Sequence, residues 1–136
     1  MEKIFSSILD KINNNDIMLA EETLNKFQQH LINIGDYYFF QALLNIKKEN
    51  YTNAWLWSWR GKGLFPEMQE INEIYAVIDE HLYKGKNTQK EIKWKGKSIR
   101  LNLEFINKLS KATNPQVLQG SMEIANQMNT LSKGLQ

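Results

Sequence analysis

The feature that most constrains this chain is a self-similarity at a spacing of 34 residues. Shifting the sequence by 34 positions sets Ile4 on Tyr38, Phe5 on Phe39, Leu9 on Leu43 and Ile12 on Ile46. The same shift carries Asp16 onto Asn50, Ile17 onto Tyr51 and Ala20 onto Ala54, and a second one takes Ala42 onto Ala76. A period of this size is the mark of stacked supersecondary units, each burying an apolar face that it cannot bury alone. About two and a half units fit: residues 1–34, 35–68 and 69–83.

Inside the second unit lies "NYTNAWLWSWRGKGLFP", residues 50–66, with tryptophan at every second position from Trp55 to Trp59. Local alternation reads this segment as a half-buried strand, and the repeat reads it as the second helix of a helical pair. The repeat spans far more of the chain than the alternation does, so the helix is preferred. At about 100° per residue, Trp55 and Trp59 share one face and Trp57 points nearly opposite. A helix apolar on both sides is expected to be buried on both sides. Trp55 and Trp59 are therefore candidates for an oligomer surface.

Residues 35–68, "GDYYFFQALLNIKKENYTNAWLWSWRGKGLFPEM", resemble a tetratricopeptide repeat (TPR). Tyr38 and Ala42 stand at the aromatic and small positions of the motif's first helix. Asn50, Tyr51 and Ala54 stand at its inter-helix turn, Gly61 at the small position of the second helix, and Pro66 closes the unit. Asn45 and Ser58 depart from the tyrosine and phenylalanine the motif prefers. The first unit matches more loosely, with Ile8 at the small position and no closing proline. The small residues have a physical reason, because helix axes approach closely only where side chains are short. Proline ends a helix because it cannot continue the hydrogen-bond ladder.

The resemblance implies an all-α fold over residues 1–83 and a concave groove lined by Phe5, Leu9, Ile12, Phe39, Leu43 and Ile46. Members that grip a peptide's terminal carboxylate use lysine and asparagine there. Phe5, Leu9, Phe39 and Leu43 stand in those places, so that activity is not carried over. An apolar lining suits an amphipathic helix or an extended apolar peptide. Burying each such side chain is worth about 1.5–3 kcal/mol, so the groove is expected to be filled. A partner peptide or the chain's own C-terminal helix is the expected occupant. The implied function is a protein–protein interaction module, an adaptor or client-binding chaperone, with homo-oligomerisation open.

Charge divides the chain. Residues 1–83 carry 7 Lys/Arg against 12 Asp/Glu, whereas residues 84–136 carry 10 against 3. Such a split marks two surfaces with different jobs, or two halves that attract each other. Within the basic connector, residues 84–101, "EIKWKGKSIRL" reads as a hairpin turning at Lys95-Gly96. Ile92, Trp94, Ile99 and Leu101 then share one face, and Lys93, Ser98 and Arg100 the other. A lysine-rich loop followed by a helix from Ser98 fits nearly as well. Lys93, Trp94, Lys95, Lys97 and Arg100 interleave cations with an aromatic, the pattern of a nucleic-acid contact in which Trp94 stacks on a base. The plainer reading is a solvated loop. Residues 102–136 are expected to form two helices, from about Asn102 to Lys111 and over 115–133, the second with a stripe through Leu118, Met122, Ala125 and Met128.

Chemistry finds little footing. There is no cysteine, and hence no disulfide, thiolate nucleophile or zinc-thiolate site. His30 and His81 are the only histidines and neither has a motif partner. The glutamates among residues 67–80 read as the solvated side of a helix with Ile71, Ile74, Tyr75, Ile78 and Leu82 on its buried side. "RGKG" at 60–63 lacks the spacing of a phosphate loop. No catalytic residue, metal site or cofactor is expected. No segment approaches the roughly 20 apolar residues of a membrane span, and the N-terminus lacks an apolar signal core, so a cytoplasmic protein is expected.

Overall fold

The computed structural model describes residues 2–105, and the expected C-terminal helices beyond Phe105 lie outside the described residues. The described chain is mostly helical. Six helices, α1 (Glu2–Asn13), α2 (Ile17–Lys26), α3 (Gln28–Leu31), α4 (Gly35–Lys47), α5 (Tyr51–Leu64) and α6 (Gln69–Lys84), precede two strands, β1 (Thr88–Trp94) and β2 (Lys97–Leu103). Helix starts recur at the sequence spacing: Ile17 and Tyr51 open α2 and α5, and Gly35 and Gln69 open α4 and α6. The tryptophan segment is helical throughout.

Helix α4 is the centre of the fold and touches α1, α2, α5 and α6. Every residue from Gly35 to Ile46 is buried. The run Tyr37-Tyr38-Phe39-Phe40 explains this, because four consecutive large aromatics point around the whole helix and leave no face for water. The polar residues of α4 are satisfied internally. Gln41 donates through Nε2 to Asn25 Oδ1 and to the Tyr37 hydroxyl, each at 3.2 Å, and Asn45 Nδ2 donates to the Gln41 carbonyl at 2.8 Å. A buried amide left unpaired would cost about 1–3 kcal/mol, so these bonds decide that the amides can be core.

The expectation that α5 is buried on both sides is corrected. Its buried residues are the small ones, Ala54, Ser58 and Gly61. A methyl group built on Gly61 would stand 2.7 Å from Tyr38 Cβ, so α4 and α5 approach where there is no side chain. The large rings then flank the seam. Trp57 lies against Tyr37 and Tyr38, with centroids at 5.7 and 6.0 Å. Trp55 and Trp59 lean the other way, toward α6. Bulk sits at the rim because the axis positions admit only small atoms.

The strands form an antiparallel hairpin with Trp94 opposite Lys97, Ile92 opposite Ile99 and Thr88 opposite Leu103. The turn is Lys95-Gly96, with φ of 51° and 82°. Two consecutive positive φ values are what a two-residue turn needs to match the right-handed twist of its strands. The alternative of a helix starting at Ser98 is excluded, and the helix expected from Asn102 is displaced by β2, which runs to Leu103. Ile92, Trp94, Ile99, Leu101 and Leu103 turn inward and join the helical core. Helices and hairpin are one compact unit, Met1–Glu104.

Candidate binding surfaces

The six groove residues are all core. Phe5 and Leu9 are 1% exposed, Ile12 and Ile46 are 3% exposed, and Phe39 and Leu43 are fully buried. The reading of these six residues as a groove open to a partner peptide is therefore corrected, because their side chains are already buried. The hairpin contributes to that cover through Trp94. The Trp94 ring stands 5.1 Å from Phe40 and 6.5 Å from Phe5, both edge-on. Its Nε1 donates to Asp36 Oδ1 at 3.2 Å. Desolvation raises the Asp36 carboxyl above its ordinary pKa, against the opposing pull of the Trp94 hydrogen bond and of Lys95, whose Nζ is 4.0 Å from Oδ2.

Trp94 is also corrected as a nucleic-acid contact. It is fully buried, so stacking on a base would require opening the core. Lys93, Lys95, Lys97 and Arg100, the cations grouped with it, are all exposed. The hairpin register already set Trp94 on the apolar face with Ile92, Ile99 and Leu101, and the observed burial agrees with the register against the base-stacking role.

A second joint ties the hairpin to α6. His81 is 2% exposed, with Nδ1 at 3.3 Å from Thr88 Oγ1 and its ring 4.8 Å from that of Tyr51. Burial lowers the His81 pKa below its ordinary value, a backbone hydrogen bond at Lys86 partly offsetting it. The Tyr51 hydroxyl accepts from the Glu104 backbone N–H at 3.1 Å, just past the end of β2. These contacts are a clasp and expose no reactive group.

The open aromatic surface lies between α5 and α6. Trp55 and Trp59 stack with centroids 6.0 Å apart and planes 8° from parallel. Trp55 also packs on Tyr75 at 5.8 Å, and its Nε1 donates to Asp79 Oδ1 at 3.0 Å. Asp79 thus fixes the inner ring, whereas Trp59 remains 54% exposed and Leu64 57% exposed. A cleft of about 530 Å³ is lined by Trp59, Arg60, Lys62, Gly63, Leu64 and Tyr75. Lys62 Nζ sits 4.4 Å above the Tyr75 ring, and the Arg60 guanidinium 5.0 Å from Trp57. Among the described residues neither cation has a carboxylate within 4.0 Å.

Sequence reasoning found Trp55 and Trp59 and missed Lys62, Leu64 and Tyr75. Tyr75 fell into the apolar stripe of α6 and was counted as core. The signal that was present is the lack of any acid across residues 51–64, beside a strongly acidic α6. Among the described residues no three His, Cys, Asp or Glu side chains converge to hold a metal. No described helix is long and apolar enough to cross a membrane. No family model, curated protein or solved structure matches the chain.

Proposed function

We propose that this chain is a protein-interaction module, built from TPR-like helical pairs, that holds a peptide on its α5–α6 cleft. The recurrence of helix starts at 34 residues and the small residues Ala42, Ala54 and Gly61 buried in the helical core support the TPR-like reading. The inner groove of such a repeat is filled here, so the interaction moves to the outer side of the second helix. The observation that carries the proposal is the exposed Trp59–Leu64–Tyr75 lining with Arg60 and Lys62 at its rim. Large exposed aromatics beside cations are the usual composition of energetic centres in interfaces. The fitting occupant is a peptide with an aromatic or aliphatic anchor next to an aspartate or glutamate.

The test is selection from a randomised peptide library on the immobilised chain, in parallel with Trp59→Ala and Lys62→Glu. Enrichment of apolar anchors flanked by acids, lost in both variants, supports the proposal. No enrichment, or the same enrichment with both variants, contradicts it. Light scattering identifies the other occupant: a dimer that Trp59→Ala dissociates would make this face a contact between copies.

A further inference from the structure

The hairpin has an outer surface that the cleft reading does not use. Its parity is fixed by the register: Gln89 faces Asn102, Glu91 faces Arg100, and Lys93 faces Ser98. All six side chains are exposed, because the alternate positions Ile92, Trp94, Ile99 and Leu101 are spent on the core. A shallow polar depression of about 530 Å³ among Gln89, Lys90, Glu91, Arg100 and Asn102 keeps the Arg100 and Asn102 heads accessible. Between Lys84 and Leu103 there are 7 Lys/Arg and one carboxylate, Glu91. Residues 1–83 are net acidic, so the positive field belongs to the hairpin. Three of these cations are engaged: Lys84 pairs with Glu80 at 3.0 Å, Lys95 approaches Asp36 at 4.0 Å, and Lys97 Nζ lies 5.9 Å from the Trp94 ring centroid. Among the described residues Lys93, Lys97 and Arg100 have no carboxylate within 4.0 Å.

We propose that this outer face is a duplex-DNA interface, with the two-stranded ribbon entering the major groove. Three considerations select this occupant. A double helix is a dense polyanion, and a cationic ribbon releases its counterions on binding. The B-form major groove is wide enough for a two-stranded ribbon, and arginine, asparagine, glutamine and lysine are the side chains that read base edges there. The burial of Trp94 removes the stacking platform that single-strand binding relies on, and no other aromatic lies on either strand. The same core burial that overturns the stacking role thus turns the preference from single strands to duplexes. Glu73 and Glu80 of α6 line a depression beside β1 with Lys90 and Glu91, so phosphates are kept to the turn and the β2 side. Lys95 is in the turn, Lys97 and Arg100 are on β2, and Lys93 lies near the turn end of β1, opposite Ser98. Gln89 and Asn102 sit where base edges are met, and Lys93, Lys95, Lys97 and Arg100 where the backbone is.

Fluorescence anisotropy of a labelled mixed-sequence duplex with the full chain tests the proposal, with the matching single strand as comparator. Four phosphate contacts predict a loss of roughly 100-fold in affinity when salt rises fourfold, since each contributes a slope of about −0.9. The duplex is bound more tightly than the single strand. Combining Lys93→Glu with Arg100→Glu lowers affinity by at least about tenfold and makes the salt slope shallower by about two, with helical circular dichroism unchanged. Trp59→Ala leaves the binding curve in place, which separates this surface from the cleft. Absence of duplex binding at low salt overturns the proposal. So does tighter binding of the single strand, indifference to the double charge reversal, or equally tight binding to a polyglutamate, the mark of an acidic-protein surface.

Discussion

Phe5, Phe40 and Trp94 form one aromatic cluster of this molecule, and Trp55, Trp59 and Tyr75 form another. Both are built where helices meet, both contain a stacked pair, and in both an indole N–H is tied to an aspartate. They differ in what lies over them. The first is closed by an amphipathic hairpin whose inner face brings Trp94, Ile99 and Leu101. The second is closed on one side by α6 and otherwise faces solvent through Trp59. An apolar face therefore does not announce a partner. What separates core from docking surface is whether some other segment of the same chain has an unspent apolar side and the reach to cover it.

The comparison breaks most sharply on a buried charge. Leu43→Glu places a carboxylate where the side chain is fully buried, and is expected to cost more than about 4 kcal/mol. Circular dichroism and denaturant titration are expected to report an unfolded chain; a folded variant would return the groove to the surface. Trp94→Ala is expected to cost about 3–5 kcal/mol, the range for truncating a buried aromatic. Trp59→Ala is expected to cost about 1 kcal/mol, since it gives up one aromatic pair and little burial. Equal losses from the two tryptophans in urea unfolding would erase the distinction between the clusters.

A smaller effect sharpens the picture of the hairpin clasp. Burial depresses the His81 pKa, so the folded chain binds that proton more weakly than the unfolded one. Its stability contribution is complete above the ordinary value of 6.5 and is lost as pH falls through the lower folded value. Denaturation midpoints between pH 7 and 5 are expected to fall further for the wild type than for His81→Gln; parallel curves would mean that the imidazole is not desolvated. The smallest expected effect is at the turn. Lys95 holds a φ of 51°, and Lys95→Asn is expected to raise stability by about 0.5–1 kcal/mol by relieving it. A lower melting temperature would contradict that turn geometry.

Part of this was legible in the sequence for identifiable reasons. The hairpin register followed from strict alternation on both sides of Lys95-Gly96, and the helical state of the tryptophan segment from the 34-residue period. The groove was misassigned because a period reports which residues share a face and carries no information on what covers it. The base-stacking role for Trp94 came from its lysine neighbours and conflicted with its parity with Ile92, which sets the ring inside. The aromatic run of α4 was the overlooked clue, since four adjacent rings leave a helix no exposed side. The cleft depends on Tyr75 and Lys62 meeting across α5 and α6, a contact set by the inter-helix geometry and invisible to either helix alone.

Hydrogen exchange of the four indole N–H protons, followed by NMR and assigned with single Trp→Phe variants, tests the closed-versus-open distinction most directly. The Trp94 indole proton is expected to be protected to the level of global unfolding, and the Trp59 proton to exchange on the timescale of a free indole. Rapid exchange at Trp94, matching Trp59, would mean that the hairpin does not seal the helical core.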